Sequence, residues 1–150
     1  MPVITVKYAA AWLVLMMLFA AITGGHNWPT YWRLAHRSAS VEGTVIQLLP
    51  KMHATVRYRY NVDGHEYHGQ TQPWPPNPSI EGLAEGATLT VWYDPEQPNV
   101  SVLGLPGVLL ENETISVMLA AILAPTFILL AWRYRTLLGY RRLWAYVRRQ

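Results

Sequence analysis

Two apolar runs without a single charged side chain set the limits on what this chain can fold into. Residues 8–24 read YAAAWLVLMMLFAAITG and residues 115–132 read ISVMLAAILAPTFILLAW. At 1.5 Å of rise per residue, helices of this length come close to the ~30 Å hydrocarbon thickness of a bilayer. A helix that is apolar on every side needs either lipid or a large protein core around it, and a chain of 150 residues cannot supply the second. The expectation is a pair of transmembrane helices, 8–24 and 115–132, surrounded by lipid. The first run also has the outline of a signal peptide. No A-x-A cleavage site follows it, so a retained anchor is expected.

The charges say which way such a chain would face. All nine acidic residues lie between Glu42 and Glu113, whereas six of the twelve basic residues lie after Trp132. Basic segments next to a span resist translocation, which predicts a cytoplasmic C-terminus. With two spans the N-terminus, preceded by Lys7, falls on the same side, and the middle of the chain faces out. The expected setting is the bacterial cytoplasmic membrane. Trp28, Tyr31 and Trp32 after the first run, and Trp132 and Tyr134 at the end of the second, suit the aromatic belts of a bilayer interface. Neither run contains a residue able to relay protons or pair with an ion, which argues against transport by this chain alone. Small residues at Ala20, Ala21, Gly24 and Gly25, and at Ala120, Ala121 and Ala124, would let helices approach closely.

From Val41 onward the apolar period changes from helical to two. Val56, Tyr58, Tyr60 and Val62 alternate with Thr55, Arg57, Arg59 and Asn61, as on a half-buried strand. Asp63-Gly64 is a two-residue hairpin signal. Leu89, Val91 and Tyr93 alternate with Thr88, Thr90 and Trp92 and stop at Asp94-Pro95. With outer strands near 41–49 and 100–103, the fold class expected is membrane α+β: two transmembrane helices flanking a small five-stranded antiparallel barrel or curled sheet at 40–104.

These residues also carry a resemblance. Val41-Glu42-Gly43-Thr44-Val45, then Val56-Arg57-Tyr58-Arg59-Tyr60 leading through Val62-Asp63-Gly64 to Tyr67 and Gly69, resemble domain of unknown function family 3592, a family of uncharacterised bacterial membrane proteins. Residues 86–91, then Tyr93-Asp94-Pro95 with Pro98, Ser101 and Leu103, are similar to its closing signature. The resemblance implies the flanking membrane helices and a fold. It brings no catalytic residues.

The chemistry-bearing residues are sparse. Cysteine is absent, which removes thiol catalysis and cysteine metal sites. His65-Glu66-Tyr67-His68 is not the helical HExxH pattern, and on a strand the two histidines point to opposite faces, so no metal site is expected. Ser38, Ser40, Ser79 and Ser101 lack a nucleophile elbow, and Glu81 with Glu85 reads as a solvated connector, so no catalytic residue and no cofactor are expected. The net charge of +3 is not gathered on one face, which excludes a nucleic-acid partner.

Two segments remain as interaction candidates. In Gln72-Pro73-Trp74-Pro75-Pro76-Asn77-Pro78 the tryptophan is a stiff apolar projection, so Trp74, Pro75 and Pro76 are candidate partner-binding residues; the plain alternative is that Trp74 caps the open end of the barrel or dips into the outer membrane interface. In the tail at 133–150, Leu137, Tyr140, Leu143, Trp144 and Val147 share one helical face, and Arg135, Arg141, Arg142, Arg148 and Arg149 the other, as on a basic amphipathic helix lying on anionic lipid. The expected role is a non-enzymatic accessory or interaction module, with lipid and either another membrane protein or a second copy as partners. A module binding a small molecule or glycan is the competing expectation, and an envelope enzyme a third.

Overall fold

The computed structural model describes the backbone of residues 2–25 and 27–147, and side chains from residue 7 to residue 135 except residue 26. The elements run α1 (Pro2–Gly24), α2 (Trp28–Arg37), β1 (Ala39–Leu49), β2 (Thr55–Val62), β3 (His65–Thr71), a 3-10 turn (Ile80–Gly82), β4 (Thr88–Asp94), β5 (Gln97–Val102) and α3 (Pro106–Val147). They divide into two compact units. One comprises Met1–Gly25 and Ile115–Gln150, the other His26–Thr114.

The β-unit is a five-stranded antiparallel sheet in the order β3-β2-β1-β4-β5. Asp63 and Gly64 both take positive φ, at 51° and 82°, which is the type I′ geometry that their sequence predicts. The Asn61 side chain accepts the Gly64 N–H at 2.9 Å and fixes the turn. Pro95-Glu96 makes the second tight turn, between β4 and β5. β5 begins at Gln97, earlier than the expected 100, because Pro98 sits on an edge strand where no ladder donor is needed. In β1 the register shifts between Val45 and Gln47. Ile46 is the extra residue of this bulge and is left exposed, and Leu48 returns to the inner side.

Strand directions alternate along that order, so the edge strands β3 and β5 run the same way and can meet only in parallel. Pro73 and Leu103 form such a bridge, with the Trp74 N–H donating to the Leu103 carbonyl at 2.7 Å. The result is a partly open five-stranded Greek-key barrel, the plan of OB-type folds. Tyr58 and Tyr60 complete the closure from inside. Tyr58 stands opposite Gly69 on β3, passes over it, and bonds the Ser101 hydroxyl on β5 at 3.0 Å. Tyr60 donates to the Pro98 carbonyl. Val45, Val56, Leu89, Val91 and Leu103 fill the interior with them.

α2 was not expected. Pro29 near its start and the paired last-turn residues His36 and Arg37 suit its two ends. Leu34 is fully buried against Val102 and Leu109, with Tyr31, Trp92 and Val100 around them. The β-unit therefore extends on both sides of 40–104, taking in α2 and the first turns of α3.

In the other unit, α1 and α3 carry stretches long and apolar enough to cross a membrane by length and composition, Lys7–Gly24 and Pro106–Arg135. Trp12 Nε1 donates to the Thr126 hydroxyl at 3.1 Å, and Ala121 and Pro125 are buried beside it. α3 continues through Pro125 rather than ending there. Among the described residues of this unit most other side chains, Val14, Met17, Phe127 and Leu130 included, are exposed.

Candidate interaction surfaces

The segment at 72–83 enters neither helix nor ladder, yet it is held firmly. Asn77 is 8% exposed and uses both ends of its amide: Nδ2 donates to the carbonyls of Thr90 at 2.7 Å and Leu103 at 3.2 Å, and Oδ1 accepts the Thr90 N–H at 2.8 Å. The Leu105 N–H donates to the Pro75 carbonyl. Further along, Ile80 and Leu83 turn into the barrel core. These two residues, not Trp74, close that part of the interior. Trp74 is 39% exposed, with its Cβ packed over Gly104. Pro75 and Pro76, joined by a cis peptide, are exposed beside it. Leu105 and Val108 are exposed on the adjoining chain. The three partner-binding candidates thus sit together on a loop whose backbone is pinned to 103–105.

A second built feature joins α2 to the β4–β5 turn. Arg37 reaches the Asp94 carboxylate at 2.7 Å and also pairs with Glu96, and Asp94 takes the Glu96 N–H at 3.1 Å. The Asp94 side chain is completely buried. Burial alone would raise its pKa, but the bonds from Arg37 and the Glu96 N–H, with the charges of Arg37 and Arg33, outweigh it and hold the carboxyl below its ordinary range. Arg37 is correspondingly raised, first by its bond to Asp94; its Nε is buried without a partner. Arg33 bonds Gln97 at 3.1 Å. Both arginines of α2 are therefore turned toward the barrel. Sequence reasoning missed this clamp.

The outer face of β1, β2 and β3 is polar. Arg57 lies between Gln70 at 2.8 Å and Gln47 at 3.1 Å, and Glu66 pairs with Arg59 at 3.5 Å and His68 at 3.1 Å. Beside them is an open depression of about 250 Å³ lined by Ile46, Arg57, Tyr58, His68, Gly69 and Gln70. His65 is elsewhere, against the Asp63 carbonyl at the hairpin. No three His, Asp or Glu side chains converge among the described residues. Tyr58 and Tyr60 are both raised in pKa, chiefly by burial, and both hydroxyls are engaged in closing the barrel.

Of the basic tail, Arg135 is exposed on α3 and borders a groove with Ile128, Ala131 and Trp132. The helix runs on to Val147, but the side chains of Arg141 and Arg142, and the whole of Arg148 and Arg149, lie outside the described residues.

Among known proteins, the family described as a domain of unknown function (DUF3592) matches residues 30–107, a little over half of the chain. No curated protein and no solved structure matches. The matched stretch takes in most of α2, which the sequence resemblance did not include, and all five strands.

Proposed function

The chain belongs to the DUF3592 family of domains of unknown function, and from that premise we propose that it is a membrane-anchored, non-enzymatic interaction module. In this reading α1 and the apolar stretch of α3 cross the bacterial cytoplasmic membrane, both termini are cytoplasmic, and the barrel faces out. Support for the anchor is the apolar surface that these helices leave uncovered. Support for the sidedness is the Arg-rich segment after Trp132 against the acid-containing middle.

The observation that carries the interaction role is Trp74. Its backbone is fixed by hydrogen bonds at 74, 75 and 77 while its side chain, over Gly104, stays partly exposed. An aromatic residue held in place before contact loses little conformational freedom on binding, which is how interface anchors work. A small-molecule binder would need an enclosed pocket with converging polar groups. The barrel interior is instead filled by tyrosines and by Ile80 and Leu83. The perturbed groups Asp94, Tyr58 and Tyr60 serve structural bonds, which favours the non-enzymatic reading.

A photo-reactive residue at position 74, activated in intact membranes, tests the role. The expected product is a crosslink to another membrane protein or to a second copy of the chain. Uncrosslinked monomer, obtained while a reporter fused after Gln150 shows cytoplasmic activity only, would count against the interaction role and leave the anchor standing.

A further inference from the structure

α2 shows two unlike faces. Toward the barrel it presents Leu34, Tyr31 and both arginines. On the other side Trp28, Trp32 and His36 stack at successive i,i+4 positions, with ring centroids 5.2 Å and 4.2 Å apart. Trp28 is 37% and Trp32 46% exposed. The ladder runs about 12 Å along the helix at 1.5 Å per residue. It carries no fixed charge, because Arg33 and Arg37 are spent on Gln97, Asp94 and Glu96.

We propose that α2 is an in-plane interfacial helix whose Trp28–Trp32–His36 ladder docks into the headgroup layer of the bilayer, while the Arg37–Asp94 pair fastens it to the barrel. This rests on the membrane-anchored reading above and adds what the barrel unit itself touches. Three observations choose lipid as the occupant. Trp28 follows the end of α1 at Gly24 by four residues, so the chain allows at most about 14 Å between them. The Trp28 indole donates to the Thr114 hydroxyl at 3.2 Å, and the next residue, Ile115, begins the charge-free run at 115–132 within α3. The start of the ladder is thus joined along the chain to α1, and by this bond to the residue that precedes the charge-free run of α3. Finally, tryptophan and histidine combine an apolar ring with a polar N–H, the side-chain type that partitions to the headgroup level. The structure also sorts the aromatic residues after α1. Tyr31 faces the Leu34 cluster, and burial followed by the charge of Glu113 raises its pKa, so it is not part of the docking face.

The chain has no cysteine, so single-cysteine variants need no background removal. The full chain is reconstituted in phosphatidylcholine vesicles with a nitroxide at one of four positions: Trp32→Cys, His36→Cys, Met118→Cys in the apolar stretch, and Gln70→Cys on the outer barrel face. Collisions with oxygen and with a water-soluble nickel chelate report depth. The position 118 label should be open to oxygen and closed to the chelate, and the position 70 label the reverse. At 32 and 36 chelate access should be several-fold below that at 70, with oxygen access short of that at 118. Using two ladder positions guards against a fold defect in either variant. If 118 behaves as buried in hydrocarbon while 32 and 36 match 70, the docking face is overturned and the anchor stands. If 118 matches 70, the anchor fails and the docking face with it. Spin–spin broadening between chains labelled at 32 would put a second copy on this face and overturn the lipid assignment.

Discussion

A methyl group at position 69 has nowhere to go. The Cβ it would need overlaps the Tyr58 ring at Cζ and Oη, and that ring is fully buried and fixed at its far end by Ser101. Glycine here is the gap through which β2 reaches under β3 to β5. Overfilling a packed core typically costs about 1–3 kcal/mol. Gly69→Ala should therefore lower the unfolding midpoint of the barrel, by roughly 4 °C or more for a unit of this size, followed by near-ultraviolet circular dichroism of the detergent-solubilised chain. Because the two residues are in contact, Gly69→Ala combined with Tyr58→Leu should cost less than the sum of the single changes. A neutral Gly69→Ala would show that Tyr58 does not hold the position described, and the account of barrel closure would go with it.

Among the elements, α2 depends most on one charged pair. Asp94 is lowered in pKa when folded, facing Arg37 and Arg33 from α2 and Glu96 from its own turn. In the unfolded chain it titrates near the ordinary value of about 3.9. Below that value the unfolded chain binds more protons than the folded one. The stabilisation is thus complete above about pH 4–5 and disappears as pH falls through the folded pKa. Protection of the α2 amides, taken relative to the intrinsic exchange rate at each pH, should fall over that acid range, and in Asp94→Asn it should be lower at neutral pH and lose much of this acid step. An unchanged acid step in Asp94→Asn would show that the Arg37–Asp94 pair is not what holds α2 to the barrel.

The same helix shows where the sequence stops being readable. Strands β2 and β4 were plain because period-two alternation and the Asp63-Gly64 turn are local signals, and each strand's buried face matches its apolar residues. The bulge at Ile46 went unread, although the apolar alternation does slip between Val45 and Leu48. α2 was hidden: its aromatic residues resemble belt residues, and its apolar face has meaning only opposite Val102 and Leu109, far along the chain. Arg37 and Asp94 are separated by 57 positions, so nothing local joins them. The Pro-Trp loop was legible as irregular and as the site of Trp74. That Asn77 would staple it, and that Ile80 and Leu83 would fill the core, depended on tertiary contacts with β4 and residue 103.

At the level of the whole molecule, the two units differ in what they require from their surroundings. Both apolar clusters of the β-unit are composed entirely of residues between Tyr31 and Leu109, and its edges are closed by its own tyrosines and by the loop at 72–83. The helical unit is the reverse: beyond Ala121, Pro125 and the Trp12–Thr126 bond, most of its described apolar side chains are exposed. Stability of the β-unit should then be independent of the helices. Residues 27–114 expressed alone are expected to fold in water, with strand-type far-ultraviolet dichroism, a near-ultraviolet signal from the packed tyrosines, and one cooperative urea transition. The complementary change is Thr126→Val in the full chain, which removes an interhelical hydrogen bond worth about 0.6 kcal/mol on average in membrane proteins. It should leave the barrel transition where it was, since distant sites without shared partners act additively. A 27–114 fragment that binds hydrophobic dyes and lacks near-ultraviolet dichroism would mean that the barrel needs the apolar helices to reach its packed state. Independence of the units would then be lost, and α1 and α3 would be part of the folding core.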